Sequence, residues 1–119
     1  MRVGIVTGLL ALSQGALAQP TGMVFWSGND LHTALQQPPP SYAKTLARGY
    51  LMGMSDLYSD MQRLGYVPWS ICFPEIGRTD EQLADTVQKY LLEHPESRDV
   101  DAGGLVIRAL MDAFPCRRP

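Results

Sequence analysis

Reactive and metal-binding side chains are scarce in this sequence. Its 119 residues include two cysteines and two histidines, His32 and His94. Two cysteines are too few for a zinc site with four cysteine ligands. The sequence also lacks His-Glu-x-x-His, Gly-x-Ser-x-Gly and any glycine-rich phosphate loop. We therefore expect no catalytic residues, no metal and no cofactor, in a protein that is not an enzyme.

Basic residues are also few. Ten Lys and Arg residues stand against twelve Asp and Glu residues, so the formal net charge is −2. Proteins that bind nucleic acid need a strongly basic surface, and this composition does not supply one. The hydrophobic fraction of 45% is too high for a disordered chain, and the length suffices for one domain with one core.

A long apolar run is also missing, and the one short run lies at the start. Residues 1–18 read MRVGIVTGLLALSQGALA: one basic residue, an apolar stretch, then the small residues of a cleavage site. The stretch is about half as long as a membrane-spanning helix, which needs roughly 20 residues. We predict a signal peptide cleaved after Ala18 and an exported single domain, residues 19–119, with no membrane insertion. A short buried N-terminal helix is the alternative.

Export determines how the two cysteines are interpreted. In an oxidising compartment, Cys72 and Cys116 most simply form one structural disulfide. Closing a loop of this length, about 45 residues, stabilises the fold by about 4 kcal/mol in the chain-entropy model. The alternative is a nucleophilic Cys72 assisted by His94. Phe73 and Pro74 follow Cys72, and nothing near it in sequence would lower the pKa of its thiol.

Four segments have helical periodicity, and no convincing pair of strands is present. The first segment is capped within residues 27–30 and ends before Pro38-Pro39-Pro40. The second runs from residue 41 to about 64. The third opens at Thr79, where Gln82 completes a capping box, and stops near His94-Pro95. The fourth runs from about residue 100 to 113. These patterns predict a small all-α domain of about four helices with one disulfide.

The second segment has the strongest pattern, because its large apolar residues recur every three or four positions. They are expected to share the buried face: Tyr42, Leu46, Tyr50, Met54, Leu57, Met61 and Leu64. Gly49 and Gly53 lie four apart on a neighbouring stripe, and each costs about 1 kcal/mol relative to Ala in a helix. Their presence predicts a site where another backbone comes close.

Between the second and third helices, residues 65–78 lose helical periodicity. Two prolines and several aromatic residues favour an extended connector held by the disulfide. Loops on a rigid scaffold often carry recognition, so Tyr66, Trp69 and Ser70 are the candidate partner-binding residues. Packing of Trp69 in the core is the alternative interpretation.

Several blocks of the chain resemble the Rap/Tai-type immunity proteins of the type VI secretion system. The most specific blocks are His94-Pro95-Glu96 and Ala113-Phe114-Pro115-Cys116. Further matching blocks occur along most of the chain after the signal peptide: Asn29-Asp30-Leu31, Gly49-Tyr50-x-x-Gly53-x-x-Asp56, Cys72-Phe73-Pro74, Thr79-x-x-Gln82-Leu83, Tyr90-Leu91 and Leu105-Val106-x-x-Ala109-Leu110.

The resemblance implies a small, helical, periplasmic protein that binds and blocks a peptidoglycan amidase effector. Two departures from the family pattern stand out. A second cysteine pair common in relatives is absent, and Gly103-Gly104 stands where relatives usually have alanines, which weakens the start of the fourth helix. The alternative function is a small periplasmic acid-stress chaperone. Both a homodimer and a monomer are compatible with the sequence.

Overall fold

The computed structural model describes residues 24–75 and 79–117, together with Gly4 and Gly8. The rest of the predicted signal peptide lies outside the described residues. The described chain forms α1 (Gly28–Leu35), α2 (Tyr42–Arg63), α3 (Asp80–Glu93), a 3-10 turn (Pro95–Ser97) and α4 (Ala102–Ala113). Within these ranges there is no β-strand, only two isolated bridges. The predicted all-α fold of four helices is confirmed.

Short polar side chains fix the starts of the helices. At α1, the Ser27 hydroxyl accepts from the Asp30 amide, and the Asp30 carboxylate accepts from the Ser27 amide. Thr79 and Gln82 form the same reciprocal pair at α3, as the sequence predicts. Each capping box satisfies two polar groups of the backbone that the helix itself leaves unpaired.

The core lies where the four helices meet, because each helix contacts the other three. Its buried members are mostly aliphatic: Leu31, Ala34, Leu35, Ala47, Leu51, Ile71, Ala84, Val87, Leu91, Ala102, Leu105, Val106, Ala109 and Leu110. None of the helices in the described ranges combines the length and apolar character that a bilayer span requires.

The buried face of α2 differs from the predicted one. Ala47 and Leu51 are fully buried, whereas Tyr42 is 82% exposed and Leu57 is 55% exposed. Tyr50, Met54 and Met61 of the predicted stripe are half-buried; Leu46 and Leu64 are exposed. The prediction was wrong for the four exposed residues, because the centre of the buried face lies at Ala47 and Leu51. Tyr50 and Met54 pack against the core at the edge of that face.

Glycines mark where the helices approach closely and where they do not. A Cβ at Gly28 would lie 2.9 Å from the Arg98 backbone, so α1 can pack here only without a side chain. A Cβ at Gly103 would stand 3.2 Å from Met54 Cε, at the contact of α4 with α2. At Gly49 and Gly53 nothing lies within 4 Å of the added atom. The predicted close approach at these two residues is absent among the described residues.

Helix α1 is held against the segment between α3 and α4. The Gly28 amide donates to the Val100 carbonyl at 2.8 Å, and the Asn29 amide donates to the Arg98 carbonyl at 2.7 Å. His32, one turn further along, is half-buried, and its Nδ1 has no hydrogen-bond partner among the described residues. Burial and the nearby Arg98 charge lower the pKa of His32 below its usual 6.5. The native structure therefore favours neutral His32.

We predict that part of the stability is lost as the pH falls below about 6.5, the usual pKa of an unperturbed histidine. A lowered folded-state pKa means that the unfolded chain binds more protons in this range, which favours unfolding. His32→Gln should remove this loss, as measured by urea unfolding between pH 7 and pH 5. His94→Gln is the matched control and should retain it. An equal pH dependence in wild type and His32→Gln would contradict the assignment.

Candidate functional site

The connector begins where a glycine ends α2. Gly65 has a φ of +80°, a left-handed conformation that glycine adopts without strain. The Gly65 amide donates to the Gln62 carbonyl, and the Tyr66 amide donates to the Met61 carbonyl at 2.9 Å. This pair of bonds is the Schellman motif, which satisfies the last carbonyls of the helix. It turns the chain sharply and sets the direction in which the connector leaves α2.

The side chain of Gln62 then fixes the middle of the connector. Its Oε1 accepts from the Ser70 amide and from the Ile71 amide, both at 2.9 Å. Its Nε2 donates to the Ile71 carbonyl at 3.0 Å. Gln62 is only 2% exposed, and it is the one buried polar residue in the described chain. One amide thus pairs three backbone groups that burial would otherwise leave without partners.

The disulfide holds the connector at the residue after Ile71, and its formation is as predicted. Cys72 and Cys116 are bonded, with their Cα atoms 4.9 Å apart. The Cys72 amide donates to the Phe114 carbonyl at 2.8 Å, and the Phe73 and Phe114 rings lie 5.1 Å apart. Because both sulfur atoms are in the bond, the alternative of a nucleophilic Cys72 fails in this oxidised form. The connector is therefore fixed at Gln62 and again at Cys72.

Two predicted partner-binding residues project from this fixed segment. Tyr66 is 75% exposed and Trp69 is 62% exposed. Leu64, at the end of α2, is also exposed. We refer to Leu64, Tyr66 and Trp69 as the connector surface. The exposure of Trp69 contradicts the alternative in which this ring packs in the core.

Ser70, the third candidate, has a different environment. Its hydroxyl lies 2.7 Å from the Tyr58 hydroxyl of α2, and its amide donates to Gln62. The side chain is half-buried. Ser70 therefore contributes to fixing the connector on α2, while Tyr66 and Trp69 offer the larger exposed area.

A cleft of about 260 Å³ lies between α2, the end of the connector and the start of α3. Its lining is mixed: Phe73, Leu83 and Phe114 are apolar, whereas Asp56 and Asp80 contribute carboxylates. Asp80 forms an ion pair with Arg48 of α2. That pair joins the start of α3 to α2 beside the cleft.

His94 takes part in local contacts at the end of α3. Its ring stacks on Tyr90 at 4.2 Å, and its Nδ1 lies 3.4 Å from a Glu96 carboxylate oxygen. Across the ranges that the structure describes, no group of three or more His, Cys, Asp or Glu side chains is placed to hold a metal ion. The connector surface stays the candidate site for partner binding.

Comparison with known families agrees with this arrangement of helices, connector and disulfide. The family model of the Rap1a immunity proteins matches residues 27–116. The chain belongs to this family. The match begins at the N-cap of α1 and ends at the second cysteine, so it spans all four helices and the disulfide. No curated protein matches the chain.

Membership in the Rap1a immunity family confirms the resemblance drawn from the sequence. It also assigns an immunity role, which requires a partner to be bound and neutralised. The connector surface combines two exposed aromatic side chains, Tyr66 and Trp69, with a backbone held by Gln62 and the disulfide.

Gln62 and Tyr58, which position the candidate site, were missed by sequence reasoning. They continue the buried stripe of Ala47, Leu51 and Met54 at spacings of three and four. The sequence does contain a signal for Gln62: a glutamine on the buried side of α2, three residues before Gly65 and the apolar connector. The stripe of larger apolar residues obscured it.

We predict that Gln62→Leu destabilises the fold by about 3 kcal/mol, because a buried group left without its hydrogen bond costs roughly 1–3 kcal/mol. Urea unfolding followed by circular dichroism measures this change. Gln36→Leu, at an exposed glutamine, is the control and should change stability by no more than about 0.5 kcal/mol. Equal effects of the two substitutions would show that Gln62 does not hold the connector.

Proposed function

We propose that this protein is an exported immunity protein that acts in the periplasm. Its partner is a peptidoglycan amidase effector delivered by type VI secretion, which it binds and inhibits without catalysing a reaction. Family membership over residues 27–116 supports the immunity role. The signal-peptide pattern of residues 1–18 and the disulfide support the compartment.

The observation that carries the proposal is the exposure of Tyr66 and Trp69 on a fixed backbone. Large aromatic side chains dominate binding energy at protein interfaces, where they fill pockets of the partner. A backbone that is already ordered loses little conformational freedom on binding, which favours affinity. The connector surface is thus suited to insert into the concave substrate site of an enzyme.

Identifying the partner is the first step of the test. The oxidised chain from residue 19 to residue 119 serves as bait for affinity capture from the native host at neutral pH. A single hydrolase, retained in stoichiometric amount and then inhibited by the bait in a peptidoglycan-cleavage assay, is the expected result. A captured hydrolase that remains fully active with the bait bound would contradict the inhibitor role.

We predict that Trp69→Ala weakens binding of the captured amidase by about 30-fold or more, equivalent to the 2 kcal/mol typical of a hot spot. Isothermal titration calorimetry measures the change. Leu92→Ala is the control, since Leu92 is 56% exposed on α3 and lies outside the connector surface. Unchanged affinity for Trp69→Ala and Tyr66→Ala would show that the connector surface is not the interface.

One observation favours the second candidate function, an acid-stress chaperone. Protonation of His32 beside Arg98 would loosen α1, which buries Leu31 and Leu35. A chaperone that works this way would capture many unrelated envelope proteins, and only after acidification. The same bait tested at pH 5 and at neutral pH separates the two functions.

A further inference from the structure

The cleft between α2, the end of the connector and the start of α3 has the size of a pocket for one side chain. Its volume is about 260 Å³. Sites that enclose a whole small molecule are larger, roughly 300–1,000 Å³. Side chains that anchor a protein interface fill pockets on the partner protein. A side chain of a bound protein is therefore the kind of occupant that fits the cleft.

Part of the lining of the cleft is apolar. Met52 of α2, Leu83 of α3 and Phe114 after α4 contribute to it. Met52 is 42% exposed, and Leu83 and Phe114 are half-buried, so all three keep surface that a ligand can cover. Removing this apolar surface from water favours an occupant with an apolar stem.

Most polar groups of the lining already have partners within the chain. Thr79 and Gln82 bond to each other in the capping box of α3. Asp80 is paired with the guanidinium group of Arg48. Asp56 differs from them, because it is exposed and forms no hydrogen bond or ion pair with any described residue. Its carboxylate is therefore the charged group of the cleft that is left for a ligand.

The charge of the described lining is negative. The lining includes two carboxylates, Asp56 and Asp80, and no lysine or arginine. Arg48 lies beside it and neutralises Asp80, so the charge of Asp56 stays uncompensated among the described residues. Next to apolar walls, opposite charges attract each other more strongly than in open water. The complementary ligand thus carries a positive charge at the end of its apolar stem.

We propose that the cleft receives an arginine side chain of the amidase, with the guanidinium group paired to Asp56 and the aliphatic stem on Met52 and Leu83. Arginine fits better than lysine, because its planar group is weakly hydrated and binds a carboxylate through two parallel hydrogen bonds. The pair of Arg48 with Asp80 shows the same chemistry within the chain. The identity of the partner rests on the proposed function, whereas the chemistry of the cleft does not.

One partner can cover both the cleft and the connector surface. Phe73 lines the cleft and follows Trp69 by four residues, so their Cα atoms are at most about 14 Å apart. A standard interface covers roughly 800 Å² on each partner, which is enough to include both. In this arrangement Trp69 supplies apolar contact. Asp56 supplies the charge that discriminates in favour of a partner with an arginine at this position.

The first test uses the captured amidase and isothermal titration calorimetry. Asp56→Asn keeps the size of the side chain and removes its charge. It should weaken binding at least tenfold, because the arginine is then buried without its counter-charge. The melting temperature should stay unchanged, since Asp56 makes no polar contact with the described residues. Glu93→Gln, at an exposed carboxylate at the end of α3, is the matched control and should retain the affinity.

The second test needs no amidase and follows the amide signals of the isotope-labelled, oxidised protein by NMR. Nα-acetyl-arginine amide should shift the signals of Asp56 and Leu83 saturably at millimolar concentration. Nα-acetyl-citrulline amide, which has a similar shape but no charge, should not. Asp56→Asn should abolish the response to the arginine derivative.

The two tests separate the cleft from the proposed function. Equal shifts with both derivatives, shifts that persist in Asp56→Asn, or no shifts at the cleft would each overturn the arginine pocket. Unchanged amidase affinity in Asp56→Asn would also overturn it, while the inhibitor role would stand. If no amidase is bound at all, the proposed function fails, and the NMR comparison still decides whether the cleft binds a guanidinium group.

Discussion

The side-chain amide of Gln62 is the interaction on which the candidate site depends. The connector between α2 and α3 cannot satisfy its own backbone groups, because it is neither helix nor strand. Gln62 supplies one acceptor and one donor at the point where Ser70 and Ile71 enter the core. Ile71 is buried, whereas Trp69, two residues earlier, is exposed. Fixing the buried residue therefore also restrains the backbone from which the exposed ring projects.

The disulfide and Gln62 act together on a small domain. Four helices with mainly aliphatic contacts can bury only a limited area, so an irregular segment of this length needs additional constraints. Cys72 joins the connector to Cys116 just after α4, and Gln62 joins the preceding residues, Ser70 and Ile71, to α2. Gln62 bonds to Ser70 and Ile71, and the disulfide begins at the next residue, Cys72. The backbone of the connector surface is consequently part of the folded scaffold.

Much of the fold follows from local sequence signals. The polar residues 27–30 and the capping box of Thr79 with Gln82 mark two helix starts, and a lone cysteine pair behind a signal-peptide pattern predicts the disulfide. Helix caps can be predicted because they depend only on residues close together in the sequence. The disulfide can be predicted because two cysteines allow only one pairing. The exposed positions of Tyr66 and Trp69 also agree with a connector on the surface.

The orientation of α2 could not be predicted in the same way. Hydrophobic periodicity identifies apolar stripes, but it does not say which stripe meets the core when a helix has two. Ala47 and Gln62 face inward although alanine is small and glutamine is polar, while Tyr42 and Leu57 face outward. Only tertiary packing decides between the stripes. The inward side of α2 also carries Gln62, the glutamine that positions the connector.

Amide hydrogen exchange at Ser70 and Ile71 tests most directly whether the connector is part of the rigid fold. If Gln62 and the disulfide hold this segment as described, both amides exchange only on global unfolding, as slowly as the core amides of Val87 and Leu105. Exchange of Ser70 and Ile71 at rates typical of an exposed loop, with the core amides still protected, would contradict a preformed binding surface.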